Sequence, residues 1–371
     1  MTELRIHHAT RVAVPEGYQR DRAIRPSGLA PESHLRYDFD TFFYQAIRAG
    51  RHVALVAPKL LNFRRLFRQA QFRVGGQRVR RTRIFSFYRH AIIWLLNVPE
   101  GETLAITFPD GSEADAHIHP QDLGFLAGLN CQMMISKDND LGWIKDQLGF
   151  HAAACGLEAV CFIDNGSTAY GLDDLAQALT EVGLQRAVLI SMPFKWGGVN
   201  RKPANRELYL QTAAYNAARL KYLAQARGVL CLDADEILIP QPDGETVFDR
   251  AQRARLGFVR FSGRNRFPGP DAQPRFDYAD HGWMLSDQAP AAHNWCLNPR
   301  GPMGHFQWRC HNLEHNILDV FQVLQGDHFY HCLGIGTGWK DPQRSDGGPA
   351  LRPDPEAEAF WRDTFVPALP R

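Results

Sequence analysis

From residue 129 onward, short apolar runs alternate with stretches whose apolar residues recur every three or four positions. Cys131–Ile135 reads as a buried strand. Leu141, Ile144, Leu148, Ala152 and Cys155 then mark one face of a helix that Gly156 ends. Ala159–Ile163 gives a second strand. Leu172, Leu175, Leu179 and Val182 give a second helix stopped by Gly183, and Ala187–Ile190 a third strand. A long helix from Asn205 to Arg227, with Tyr215, Ala218 and Tyr222 on one face, leads to Gly228 and a further apolar run ending at Leu232. Strands alternating with amphipathic helices predict an α/β domain with a mostly parallel sheet. Right-handed crossovers place the carboxyl ends of all its strands on one edge, where such sheets bind ligands.

Ahead of this pattern the periodicity differs. Residues 1–35 are polar and irregular, a lead-in. Within 36–125, strand-like runs at Arg51–Ala57, Arg78–Phe87, Ala91–Val98 and Thr103–Phe108 predict a smaller β-rich domain, with a sandwich as its form. The α/β domain spans 126–340, and 341–371 form a tail with one short helix near Pro355–Phe365. A chain of 371 residues suits roughly two to three domains.

Composition changes this picture little, and a net charge of +2 names no partner. No apolar run approaches the roughly 20 residues that span a bilayer. The N-terminal residues lack the apolar core of a secretory signal. Seven scattered cysteines, several inside apolar strands, suit reduced thiols, so a cytoplasmic protein is expected. Charge distribution says more. Between Arg51 and Val98 there is no carboxylate, while Arg64, Arg65, Arg68, Arg73, Arg78, Arg80, Arg81, Arg83 and Arg89 all fall there. Alternating with Val79, Ile84 and Phe85, the arginines suit a solvated sheet face. As a functional surface they suit an anionic polymer, a nucleotide, or peripheral contact with the anionic inner face of a membrane. No nucleic-acid module is recognisable, so no specific nucleic-acid partner is expected.

The candidate chemistry gathers on the predicted edge. Gly228–Pro240 ends its apolar run in Asp233, Asp235 and Glu236. Carboxylates at the end of a buried strand are costly without a positive partner, and a divalent cation of oxygen preference, Mn²⁺ or Mg²⁺, supplies one. Asp164 and Asn165, after the second strand, suit a ribose or base. Lys137, after the first, suits a phosphate. An Asp-x-Asp beside such loops fits a nucleoside diphosphate held through a metal.

Lys137-Asp138-Asn139-Asp140, the helix ending in Phe150-His151 and Gly156, Phe162-Ile163-Asp164-Asn165-Gly166-Ser167 and Leu232-Asp233-Ala234-Asp235-Glu236 occur in that order. Over residues 128–340 this order resembles bacterial glycosyltransferases similar to family two and family ninety-two, whose fold is called GT-A. The resemblance implies transfer of a sugar from a nucleotide donor, usually a UDP-sugar, to a hydroxyl of a glycan or lipid-linked acceptor. It implies that Asp233 contacts the donor, that Asp235 ligates Mn²⁺ or Mg²⁺, and that Asp164, Lys137 and Asp138 line the nucleotide. Where those enzymes carry lysine-asparagine-glutamate after the first strand, this chain has Lys137-Asp138-Asn139-Asp140. Ala169-Tyr170 stands where an aspartate often follows the second strand.

An inverting transfer needs a base for the acceptor hydroxyl, and His305, His311, Glu314 and His331 are the candidates; His331 could instead complete the metal shell. Trp295, Trp308 and Trp339 could stack on sugar faces. Two rival readings stand beside this one. His311-Asn312-Leu313-Glu314-His315 matches H-x-x-E-H, a zinc metallohydrolase pattern if it lies on one helix. A non-catalytic carbohydrate-binding protein is the other.

Overall fold

The computed structural model describes residues 2–24, 33–198, 207–270, 277–286, 291–313, 324–337 and 351–369. The chain divides into two compact units. One comprises Met1–His7, Gly124–Pro193 and Leu223–Arg371, the other His8–Leu123 and Phe194–Tyr222.

The first unit is mixed α/β, built on a nine-stranded sheet. Its strand order is Glu3–His8, Arg186–Ser191, Ala159–Asp164, Asn130–Ser136, Gly228–Cys231, Ala291–Leu297, Phe258–Arg266, Leu324–Cys332 and Glu236–Leu238. Four adjacent strands, from Arg186–Ser191 to Gly228–Cys231, run parallel. They are buried on both faces, which is why they appear in the sequence as unbroken apolar runs. Ser136, Asp164 and Ser191 pair level with one another, so three carboxyl ends finish together. The helix Leu141–Cys155 starts where the Asp140 side chain accepts from Gly142 N, and ends at Gly156 in the left-handed region, φ 73°. Its buried residues Ile144, Leu148 and Phe150 join Leu175 and Leu179 of the helix Leu172–Glu181 in one core.

The expected mostly parallel sheet is thus only half realised. Ala291–Leu297 runs antiparallel to both Gly228–Cys231 and Phe258–Arg266, and Glu236–Leu238 antiparallel to Leu324–Cys332. The stretch Gly228–Pro240 holds a second strand beyond the expected one, Glu236–Leu238, and three others lie between the two in the sheet. The lead-in is not irregular throughout, since Glu3–His8 forms the edge strand and Glu3 N donates to Gln185 O. Nor is the C-terminal segment a tail. Asp354 caps the helix Pro355–Phe360, Trp361 and Phe365 are buried in the main core, and Trp361 Nε1 donates to His281 O.

The second unit holds one eight-stranded sheet in place of a sandwich. Its order is Gln77–Arg78, Gln71–Val74, Thr103–Thr107, Glu113–Pro120, Gln45–Ala49, His52–Pro58, His90–Leu96 and Arg81–Ser86. Its two edge strands are joined by Val79 and Arg80 alone. Two residues reach no further than roughly 10 Å, so the sheet must curl until its edges meet. Val79, buried with its N–H on Phe72 O, closes that seam from inside. Phe42 and Phe67 stack at 3.8 Å within the core. The helix expected over Asn205–Arg227 is α-helical at Tyr209–Ala218, continues as a π-turn over Arg219–Leu223, and belongs to this unit up to Tyr222. Among the described residues, no helix of either unit is long and apolar enough to cross a membrane.

Candidate metal centre

The strand Gly228–Cys231 stops opposite Met133, three residues short of its neighbour's end at Ser136, and the chain turns out of the sheet through Leu232–Asp235. The carbonyls of Asp233, Ala234, Asp235 and Glu236 are all held. Asp233 O accepts from Glu236 N at 3.2 Å and from Gln147 Nε2 at 2.6 Å. Ala234 O accepts from the buried Tyr278 hydroxyl, and Asp235 O from Cys332 N at 2.8 Å. Glu236 O accepts from Gln147 Nε2 at 2.9 Å.

Behind Gln147 runs a buried chain of side chains. Gln147 Oε1 accepts from Gln132 Nε2 at 3.0 Å, and Gln132 Oε1 meets His151 Nδ1 at 2.8 Å. Leu238 N donates to His151 Nε2 at 3.1 Å. Since a backbone N–H can only donate, His151 accepts at Nε2 and donates at Nδ1, which fixes the neutral ring. Burial agrees, pushing the His151 pKa down to about 3. The turn is therefore immobilised by groups that are not themselves ligands, as a preorganised site requires.

On this turn, donor atoms of Asp235, Glu236 and His331 lie within 4.8 Å of one another. Glu236 sits directly opposite His331 in the antiparallel ladder. Its Oε2 accepts from Asp233 N and from Asn294 Nδ2, each at 2.7 Å. Burial first, then the neighbouring Asp233 and Asp235 charges, push the Glu236 carboxyl well above the usual range, with His311 acting the other way. His331 Nδ1 lies 2.8 Å from Asn265 Oδ1, and its Nε2 3.1 Å from Asp235 Oδ2. With Nδ1–H given to the amide oxygen, a neutral ring turns its Nε2 lone pair toward a carboxylate oxygen. Two acceptors in that position need a proton or a cation between them.

Two carboxylates and an imidazole nitrogen oriented by an outer amide make a set that fits a divalent cation. The nitrogen favours Mn²⁺ over Mg²⁺, which prefers oxygen alone. Of the residues expected to hold a metal, Asp235 and His331 are thus brought together. Glu236, the third carboxylate of the acidic run, joins them, and half-buried Asp233 lies outside the group while its backbone N–H and carbonyl brace the turn.

The other expected site residues have different tasks. Asp164 is buried and accepts from Gly166 N at 3.0 Å and Ser167 Oγ at 2.5 Å. Asn165 is buried, with Nδ2 on Met192 O at 2.7 Å and N on Ser136 O at 2.9 Å. Asp138, at φ 57°, accepts from Ala169 N at 2.8 Å and donates its N–H to Ser167 Oγ at 2.9 Å. Together they stitch the ends of the three level strands. A ligand here would meet the loops they shape more than their own carboxylates. Lys137 is half-buried, and its carbonyl accepts from Thr337 Oγ1 at 2.9 Å.

His305 lies in the turn Pro302–His305, where Met303 N donates to Leu256 O just ahead of the strand Phe258–Arg266. Phe258 and Val229 both pair with Leu297, so this is the opposite sheet edge from the acidic turn, and His305 is removed from the site. His311 is on the correct edge. Its Nδ1 lies 3.0 Å from His293 O and 3.1 Å from Asn294 Oδ1, and Asn294 links it to Glu236. Glu314 and His315 lie outside the described residues, as does Trp339. His311 sits at φ 63° between Trp308–Arg309 and the strand Asn312–Leu313, so the single helix that H-x-x-E-H requires is absent over residues 311–313. Trp295 and Trp308 are fully buried against each other, ring centres 5.8 Å apart, which makes them core and not sugar platforms.

Sequence reasoning missed Gln132, Gln147, Asn265 and Asn294. The first two carried a signal, because each is an amide inside or beside an apolar run that predicts full burial.

No family model matches the chain, and no curated protein does. Among solved structures, S. aureus TarS, a glycosyltransferase, is similar over 43% of this chain and 24% of its own, at 13% identity and a TM-score of 0.24. A structure of S. aureus TarS 1-349 is similar over 46% of this chain and 47% of its own, at 13% identity and a TM-score of 0.26. The chain therefore spans less than half of either relative, and at such scores the likeness carries no argument on chemistry.

Proposed function

We propose that the protein is a metal-dependent glycosyltransferase that moves a sugar from a nucleotide donor, UDP being the expected nucleotide, to a hydroxyl of a glycan or lipid-linked acceptor. One observation carries this reading. Asp235, Glu236 and His331 converge on an immobilised turn at the carboxyl edge of four parallel strands. Mn²⁺ or Mg²⁺ held there would neutralise a diphosphate and stabilise the charge of the departing nucleotide.

The chain's own residues would divide the remaining work. Asp235, Glu236 and His331 hold the cation, and Asp233 faces the donor. His311 suits the base. With two acceptors at Nδ1, the neutral ring keeps its proton there and its lone pair at Nε2. In a single displacement the acceptor oxygen bonds to the anomeric carbon as the bond to the diphosphate breaks, and the hydroxyl proton passes to His311. The nucleoside diphosphate leaves with the bonding pair.

Calorimetry with a panel of nucleotide sugars, with and without Mn²⁺, tests this reading. Binding is expected only with metal, and Asp235→Ala should abolish it. Equal binding by that variant, or glycan binding with no nucleotide affinity, would overturn it in favour of a non-catalytic carbohydrate-binding protein.

A further inference from the structure

The seam of the eight-stranded sheet carries charge arranged at a cost. Phe72 and Val74 point into the core, so Arg73 between them points out, and Arg78 lies directly opposite it in the antiparallel ladder. Like charges in that relation destabilise a sheet. Both are exposed. Beyond Val79 the next strand repeats the arrangement. Ile84 packs inward on the core, while Arg81, Arg83 and Phe85, at alternate positions, turn outward. Phe85 is 46% exposed and Tyr88, just beyond the strand, 54%. Among the described residues none of these four arginines has a carboxylate partner.

We propose that this seam docks on an anionic lipid surface. The arginines complement phosphate-bearing headgroups, and the arrangement of Arg73 opposite Arg78 costs least when anions lie over it. Phe85 and Tyr88 then enter the interfacial layer, where aromatic side chains are stabilised. A single-stranded nucleic acid also takes arginines and aromatics, but it lies in a groove. Here both kinds of side chain stand on the outer, convex face of a curled sheet, the shape a bilayer accepts.

Co-sedimentation of the full chain with vesicles tests the proposal. Phosphatidylcholine vesicles are compared with vesicles of phosphatidylcholine and phosphatidylglycerol, each at low and raised salt, with polyuridylate as competitor. Partitioning should be roughly tenfold or more stronger on the anionic vesicles and should fall with salt. Arg81→Glu with Arg83→Glu should reduce it by about tenfold or more. Phe85→Ser with Tyr88→Ser should reduce it several-fold and leave the salt dependence unchanged. Should the charge reversals fail to fold, Arg73→Gln with Arg78→Gln and quenching of Phe85→Trp by brominated lipid give the same information. Equal partitioning on both vesicles, none on either, or displacement by polyuridylate with no loss in the arginine variants would overturn it.

Discussion

Two sets of carboxylates occupy the same sheet edge and have opposite fates. Asp138 and Asp164 are both ringed by donors of the loop that follows Ala159–Asp164, and their oxygens are taken up by Gly166, Ser167 and Ala169. Asp235 sits on a turn whose carbonyls from Asp233 to Glu236 are held by Gln147, Tyr278, Cys332 and Glu236 N, and Glu236 gives one oxygen, Oε2, to Asp233 N and Asn294. Where the backbone is satisfied by outside groups, a carboxylate remains available for a ligand. Where both of its oxygens are taken up by loop donors, it becomes part of the scaffold. The acidic residues most useful for chemistry are those whose structural work is done by neighbours.

Substitutions can break this contrast. The largest effect is expected at Asp235. Asp235→Ala should lower Mn²⁺ affinity, read by calorimetry, on the order of a hundredfold, with little change in unfolding. Asp164→Ala should do the reverse. It leaves buried backbone donors unpaired, so a loss of about 2–3 kcal/mol is expected in urea unfolding while metal affinity stays near the parent's. A loss of metal binding in Asp164→Ala with stability intact would erase the distinction. Asn265→Ala sharpens it, since it touches no ligand site except through His331. A drop of roughly tenfold in Mn²⁺ affinity with an unchanged unfolding midpoint is the expected result.

Acid offers a gentler probe. His151 is neutral in the fold, with its pKa lowered to about 3, while an unfolded histidine titrates near 6.5. The unfolded chain therefore binds more protons between those values. The stability His151 contributes is present above about pH 6.5 and is lost as pH falls toward 3. His151→Gln, compared with the parent by urea titrations across that range, should flatten the dependence. The smallest effect belongs to His305. On the far edge and exposed, His305→Ala should change stability by less than about 0.5 kcal/mol and leave turnover unaltered. A marked loss of activity there would return it to the site.

The parallel half of the large sheet was legible in the sequence because strands buried on both faces leave unbroken apolar runs. The acidic turn was legible because three carboxylates beside such a run need an explanation. The antiparallel half was less so. Ala291–Leu297 brings Asn294 to Glu236 through a pairing with no local signature. Glu3–His8, mostly exposed at an edge, offers only Leu4 and Ile6 at alternate positions, too short a rhythm to mark a strand. The curled sheet was taken for a sandwich because periodicity reports which faces are buried and not which strands are neighbours. Asp164 was taken for a ligand contact because a carboxylate bonded to its own loop and one facing a nucleotide look alike in one dimension.

Glu236 and His331 face each other across one rung, and Asn265 pairs with His331 on the next strand. The candidate ligand set is thus spelled by alignment as much as by residue identity. Shortening or lengthening the Glu236–Leu238 strand's approach by a single residue would point Glu236 to the other side of the sheet. All three candidate ligands would still be present in such a chain, yet they would no longer converge.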